Sequence, residues 1–187
     1  MKAAEEQGWE ETVRSRDPSP AFDTIVRREA VGVVAALIPR EVVAAVAEAV
    51  GSLKVGDPAD PDTSIGPMAG GERRERLMSY IDLGAEEGAR LVTGGSRVPA
   101  GLEQGYYVTP TVLADVDHRM RIAQDEISGP VLTVIAHDGD DDAVRLDNDS
   151  EYRLPGGVWS ADPEHAVAVA RRLRTGAVAV NGTATGR

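Results

Sequence analysis

The stretch that decides the fold is Gly129-Pro130-Val131-Leu132-Thr133-Val134-Ile135-Ala136, together with residues 140–148 that follow it. The Gly-Pro turn leads into a β-branched apolar run, which predicts a buried strand over residues 131–136. Three acids, Asp140, Asp141 and Asp142, then favour a helix start, because carboxylates stabilise the positive end of the helix dipole. A strand followed by a helix is the building unit of α/β folds.

The same alternation continues on both sides of this stretch. The other predicted elements are helices at 72–87 and 163–174, strands at 90–93, 156–160 and 177–180, and an edge or irregular strand around Pro110 at 106–113. In the helix at 72–87, apolar spacing places Leu77, Tyr80, Ile81 and Gly84 on the inward face. The sequence therefore predicts an α/β fold, a three-layer unit of parallel strands covered by helices.

The first fifty residues are less regular. Residues 1–26 are predicted to form a polar N-terminal arm, because Asp17-Pro18-Ser19-Pro20 breaks any helix or strand. The apolar run over residues 24–38 predicts one buried strand, and the Ala/Val-rich residues 40–50 predict a helix that ends at Gly51. We expect this region to pack loosely, or to add a strand to an edge of the sheet.

Composition and charge exclude several classes of protein. The chain has 187 residues, 31 acidic and 20 basic, with a net charge of −11, which disfavours binding to nucleic acid or to an anionic membrane surface. It has no cysteine, so disulfides and thiolate metal sites are excluded. The N-terminus lacks a signal-peptide pattern, and the longest apolar stretch, residues 30–39, is too short to span a bilayer. A soluble, cytoplasmic protein is expected.

Six short segments resemble, in family order, the C-terminal part of the NAD(P)-dependent aldehyde dehydrogenase superfamily. They are Leu53-Lys54-Val55-Gly56-Asp57-Pro58 with its continuation to Ile65-Gly66-Pro67, Gly88-Ala89-Arg90-Leu91-Val92-Thr93-Gly94-Gly95, Gly105-Tyr106-Tyr107-Val108-Thr109-Pro110-Thr111-Val112, Glu126-Ile127-Ser128-Gly129-Pro130, Gly157-Val158-Trp159-Ser160 and Val180-Asn181-Gly182. Each segment alone is a weak signal, but their common order over residues 53–182 is specific. The resemblance implies the catalytic-domain half of that family's fold.

An earlier segment resembles a different part of the family. Residues 27–39 are similar to the first strand of the central nucleotide-binding region, which the family continues with Trp-Asn, whereas this chain continues with Arg40-Glu41. We therefore interpret the chain as an internally deleted and truncated member. Its predicted divisions are the arm at 1–26, a remnant strand and helix at the deletion junction at 27–50, and an aldehyde-dehydrogenase catalytic-domain-like region at 51–187.

The resemblance carries over only a small part of the family's site. Glu126 matches the glutamate that contacts the nicotinamide ribose, and Ser128 stands where the family has a phenylalanine that packs near the nicotinamide. Nothing in the chain matches the nucleophilic cysteine, the oxyanion-hole asparagine or the general-base glutamate, so no catalytic residue is predicted. NAD or NADP is implied by the family, and we do not expect this chain to bind it.

No other side chains stand out as a replacement site. His118, His137 and His165 are scattered and match no zinc motif, and the acids around Asp140 lack the glycine and glutamate of an EF-hand loop, so no metal site is predicted. The serines, including Ser160, have no neighbouring histidine in a recognisable nucleophile motif.

Two functional interpretations stay open. The family reaction is the NAD(P)-dependent oxidation of an aldehyde to a carboxylic acid, and we predict that this chain is inactive alone. The alternative is a binding or regulatory pseudoenzyme that docks on a full-length relative or self-associates. A third, an active enzyme completed by another chain that carries the cysteine, has less support. Neither the aldehyde nor the choice between NAD and NADP follows from the sequence.

Overall fold

The computed structural model describes residues 24–27, 34–37, 42–152 and 155–185, and side chains within 42–152 and 155–182. The strands are β1 (Thr24–Arg27), β2 (Val34–Leu37), β3 (Arg90–Thr93), β4 (Thr111–Ala114), β5 (Val131–Ile135), β6 (Gly156–Trp159), β7 (Val178–Val180) and β8 (Thr183–Thr185). The helices are α1 (Val43–Gly51), α2 (Gly71–Glu86), α3 (Arg121–Gln124), α4 (Gly139–Asn148) and α5 (Pro163–Ala170).

The described strands form one mixed sheet in the order β3-β4-β5-β2-β1-β6-β7-β8. Strands β4, β5 and β2 are parallel to one another, as are β6 and β7, whereas the remaining neighbours pair antiparallel. The expectation of parallel strands is therefore correct only for these two groups. Strand β1 is antiparallel to both of its neighbours, β2 and β6, so β2 and β6 run in the same direction. Since β5 is parallel to β2, the carboxyl ends of β5 and β6 lie at the same edge of the sheet.

Alternation along the central strands separates two faces of the sheet. On β4, Leu113 belongs to the larger apolar core, whereas Val112 and Ala114 belong to a smaller one that includes Val43 of α1. The larger core contains buried residues of α2, α4 and α5. Since successive side chains of a strand point to opposite faces, α1 covers one face and these three helices cover the other. The predicted three-layer α/β unit is confirmed.

The first fifty residues differ from expectation where the structure describes them. The apolar run predicted as one strand contributes two, β1 and β2, which pair antiparallel with each other. They lie in the middle of the sheet, where β2 pairs with β5 and β1 pairs with β6, so the prediction of loose packing or an edge strand is wrong for these residues. Residues 24–26, assigned to the polar arm, belong to β1. The rest of the arm lies outside the described residues.

Two further boundaries are corrected, and one further strand is found. Strand β4 begins at Thr111, after Pro110, and is a buried inner strand, so the proline does not interrupt the hydrogen-bond ladder. Helix α5 ends at Ala170 rather than near residue 174. Strand β8 was not predicted, although Asn181 and Gly182, both with positive φ, form the two-residue turn that such hairpins prefer.

Candidate functional site

The candidate site is an open cleft of about 390 Å³ between α2 and the loop that follows α3. Its lining residues are Arg73, Arg76, Leu77, Glu126, Ile127 and Ser128. The structure thus brings both predicted site residues, Glu126 and Ser128, into one cleft. It also places two arginines there, Arg73 and Arg76, to which the sequence analysis assigned no role.

Helix α2 presents Arg73 and Arg76 to the cleft because residues three apart lie on the same face of a helix. Both side chains are exposed, and neither forms an ion pair with a side chain in the described part of the chain. Arg74, between them, turns away and donates from Nη1 to the Gly105 carbonyl at 3.0 Å. A cation in the first turn of a helix opposes its dipole, and this unfavourable placement is a sequence signal that could have indicated Arg73.

Glu126 and Ser128 occupy different environments on the opposite wall. Glu126 is exposed, and no hydrogen bond or ion pair joins it to a described side chain. Ser128 is half-buried, and Ile127 between them is buried in the main core. The next residue, Gly129, has φ of +149° and lies so close to Leu77 of α2 that a Cβ there would overlap the leucine methyl groups. The loop is therefore packed directly against α2.

A polar network fixes the same loop from the side. Tyr80 on α2 donates its hydroxyl to Asp125 Oδ2 at 2.6 Å, and Arg121 Nη2 donates to the same oxygen at 2.9 Å. The Arg121 backbone N–H donates to Glu87 Oε2 at 2.9 Å, which ties the start of α3 to the end of α2. The Tyr80 hydrogen bond, followed by that of Arg121, lowers the pKa of Asp125. Asp125 directly precedes Glu126, so this network holds one wall of the cleft.

Replacing Tyr80 with phenylalanine is expected to lower the free energy of unfolding by about 1 kcal/mol at neutral pH, the usual contribution of one partly exposed hydrogen bond. Because the pKa of Asp125 is lower in the folded chain, its contribution is present above the unfolded value and is lost as the carboxyl becomes protonated. The stability difference from wild type should therefore shrink as the pH falls. Urea unfolding at several pH values measures it.

Tyr106→Phe is the matched control, because Tyr106 is 50% exposed and its hydroxyl has no partner among the described residues. This control should change stability by less than about 0.5 kcal/mol at every pH. A Tyr80→Phe effect that is constant with pH would show that the Tyr80–Asp125 bond is not what stabilises the loop.

The three histidines were not expected to form a site, and the structure shows how they are placed relative to metal-binding groups and to Ser160. The described side chains include no group of three or more His, Asp or Glu placed to hold a metal ion. Ser160, however, lies 3.4 Å from His165 Nδ1, so the structure brings it close to a histidine that no nucleophile motif in the sequence indicated. The two are five positions apart in sequence, and the turn at the start of α5 brings them together.

No helix among the described residues is long and apolar enough to cross a membrane.

Comparison with known proteins identifies the family and agrees with the fold. The model of the aldehyde dehydrogenase family matches residues 38–187. This chain belongs to that family. It is 53% identical over 142 residues to geranial dehydrogenase from Castellaniella defragrans, covering 76% of this chain and 29% of the relative. It is 44% identical over 139 residues to 5-carboxymethyl-2-hydroxymuconate semialdehyde dehydrogenase from Escherichia coli, covering 72% and 30%.

Solved structures of the family have the same fold over about three quarters of this chain. The Mycobacterium tuberculosis aldehyde dehydrogenase complexed with NAD+ superposes with a TM-score of 0.73 at 47% identity, over 75% of this chain and 29% of that one. A mutant aldehyde dehydrogenase C from Pseudomonas syringae with NAD+ and octanal gives 0.74 at 44% identity, over 78% and 31%. The chain thus spans less than a third of the length of these relatives.

The comparisons leave two expectations as predictions. The family match begins at residue 38, so the resemblance of residues 27–37 to the first nucleotide-binding strand stays a prediction. The division of the chain at residues 26 and 50 likewise stays a prediction.

Proposed function

We propose that these 187 residues carry part of the scaffold for NAD(P)-dependent aldehyde oxidation and do not catalyse that oxidation alone. The observation that carries the proposal is the absence of cysteine from the sequence. In the family reaction a thiolate attacks the aldehyde carbon before hydride transfer, and a hydroxyl or carboxylate does not replace it in that role without an activating partner. The polar residues that line the candidate cleft are a serine, two arginines and a glutamate.

The path of the chain between β2 and the Leu53–Pro58 segment supports the same proposal. Helix α1, Val43–Gly51, occupies this interval and packs through Val43 against Val112, Ala114 and Val134 of the sheet. A dinucleotide-binding region needs several strands and helices of its own. In this interval the chain has room for one nine-residue helix. The absence of the nucleophile is thus accompanied by a short internal connection, independent of where the chain begins or ends.

The cleft partly suits the cofactor that the family uses. When bound, NAD(P)+ supplies the hydride acceptor. The exposed Glu126 carboxylate could accept hydrogen bonds from ribose hydroxyls, and Arg73 and Arg76 place positive charge on the facing wall. Ser128 offers a small hydroxyl where an aromatic ring would pack. Because this cleft is open and none of its described lining residues is aromatic, we propose that this chain does not hold the cofactor tightly.

The proposal predicts no enzyme-dependent NADH or NADPH when the purified chain is mixed with either oxidised cofactor and a panel of aliphatic and aromatic aldehydes. The absorbance of the reduced cofactor measures the reaction, and an intact family enzyme serves as the positive control. A preparation made in the same way from cells without the gene corrects for contaminating dehydrogenases. Formation of reduced cofactor above that background, in proportion to the chain added, would contradict the proposal.

A second candidate is a binding or regulatory role in which the chain docks on a full-length relative or on itself. An edge strand supports it: β3 ends the described sheet, and its Leu91 is 47% exposed. Unpaired strand edges with exposed apolar side chains are common sites of strand addition. Size-exclusion chromatography with an intact relative tests this role, and separate elution at micromolar concentrations would argue against it.

A further inference from the structure

The carboxyl ends of three strands bring together polar residues that lie outside the cleft. Asp140 is in the first turn of α4, after β5, and Ser160 directly follows β6. His165 is in the first turn of α5, and Asn181 directly follows β7. Strands β5, β6 and β7 run in the same direction, so these residues meet at one edge of the sheet. Open α/β sheets place their reactive sites at this edge.

Three of these side chains follow one another, joined by one short contact and one at the long end of hydrogen-bond distance. His165 Nε2 lies 2.6 Å from Asp140 Oδ2, and His165 Nδ1 lies 3.4 Å from Ser160 Oγ. A carboxylate only accepts, so Nε2 carries the proton that it donates to Asp140. In the neutral ring the other nitrogen, Nδ1, is then an acceptor directed at the serine hydroxyl. The arrangement has the polarity of a nucleophile, a base and an orienting acid, with the two ring nitrogens exchanged.

Further contacts fix the serine in place. The Ser160 N–H donates to Asn181 Oδ1 at 2.9 Å, and Asn181 Nδ2 donates to the Ser160 carbonyl at 3.0 Å. The Asp162 N–H donates to Ser160 Oγ at 3.1 Å. This last bond would stabilise negative charge as it develops on the oxygen. Asp141 beside the cluster is paired with Arg172, so its charge is partly balanced.

We propose that Ser160 is a nucleophilic serine that accepts acyl groups from small activated esters, with His165 as its general base and Asp140 as a positioning residue. Ser160 Oγ attacks the ester carbonyl carbon, and its proton passes to His165 Nδ1. The bond from the carbonyl carbon to the leaving alcohol then breaks, and that alcohol takes the proton. Water, activated by the same imidazole, releases the acid and restores the serine. This activity is separate from aldehyde oxidation and does not use the cleft beside α2.

The surroundings set the size of the substrate and the speed of the reaction. Ser160 is 8% exposed, whereas the His165 side chain is 34% exposed, so access from the histidine side suits small acyl groups such as acetyl. The N–H groups of Glu164 and His165 are already bound by the Asp162 carboxylate. They therefore do not hold an oxyanion, and slow turnover is expected.

The test uses the full chain with p-nitrophenyl acetate. Wild type should release p-nitrophenolate and carry one acetyl group on the peptide that contains Ser160, as located by mass spectrometry. His165→Asn should lower the acylation rate by about 10²–10⁴-fold, the usual contribution of a general base. His137→Asn is the matched control and should leave the rate unchanged. Ser160→Ala should abolish the label.

The positioning role of Asp140 has its own readout. Asp140→Asn should slow acylation and move the acid limb of the pH–rate profile to lower pH, because the imidazole loses the neighbouring negative charge that favours its protonated form. Thermal melts of all variants identify any that are unfolded. If Ser160→Ala is unfolded, the comparison of wild type with His165→Asn carries the test. Equal acylation of wild type and a folded His165→Asn chain, or an acetyl group only on lysines or the N-terminus, would overturn the proposal.

Discussion

Replacing Leu77 with alanine is expected to lower the free energy of unfolding by about 2–5 kcal/mol, the range for removing a fully buried leucine. Leu77 is 1% exposed and belongs to the larger core, between α2 and the sheet. It also lines the cleft and contacts Gly129 of the opposite wall. A cavity at this position would therefore remove support from both the core and the candidate site. Chemical denaturation with a fitted midpoint and slope measures the loss.

Leu91→Ala is the matched control, because the same side chain is removed from a position that is 47% exposed. Its effect should be within about 0.5 kcal/mol. Similar losses for the two variants would mean that α2 is not packed on the sheet as the structure shows.

Replacing Gly94 with alanine should lower the free energy of unfolding by about 2–5 kcal/mol. Its φ of +82° costs a non-glycine residue about 1–2 kcal/mol. An added Cβ would also overlap the Pro110 carbonyl oxygen and Thr111, at the point where the chain enters β4. Overpacking against such rigid neighbours adds about 1–3 kcal/mol. Thermal unfolding followed by circular dichroism measures the change.

Gly101→Ala separates these two causes. Gly101 has φ of +80°, close to that of Gly94, but an added Cβ there would meet nothing within 4 Å. The control should therefore lose only the conformational part, about 1–2 kcal/mol. An equal loss for the two glycine variants would show that β4 does not approach the Gly94 turn as closely as described.

Local signals were sufficient to predict most of the elements. The four residues predicted to face inward on α2, Leu77, Tyr80, Ile81 and Gly84, are its buried residues. The β-branched run at 131–136 forms β5, and the acids after it begin α4. In each case hydrophobic period and helix-end chemistry agree with the tertiary structure, so propensity and packing favour the same result.

The order of strands could not be predicted from such signals. Nothing local in residues 24–27 or 34–37 indicates that β1 and β2 pair between β5 and β6, because their partners are more than ninety positions away in sequence. The position of β4 inside the sheet has the same origin, and Pro110 misled the prediction by appearing to interrupt a strand that begins one residue later.

Two residues of the candidate cleft were named from the sequence, and their role stays a prediction. The family resemblance led to Glu126 and Ser128, and the structure places both in one cleft. It did not lead to Arg73, which lies one turn before Leu77 on the same face of α2, or to Arg76, at the border of that face. The contact between His165 and Asp140 depends on two helices that start after different strands, and no spacing rule contains that information.

The most direct test of the central claim, that these residues carry family scaffold without unaided aldehyde oxidation, is a single-turnover reaction. The purified chain, in excess over an aldehyde, is mixed with saturating NAD+ or NADP+, and both reduced cofactor and carboxylic acid are quantified. The account predicts that the aldehyde is recovered unchanged and that no reduced cofactor forms. Carboxylic acid and reduced cofactor in equal amounts, at a rate proportional to the chain, would contradict it.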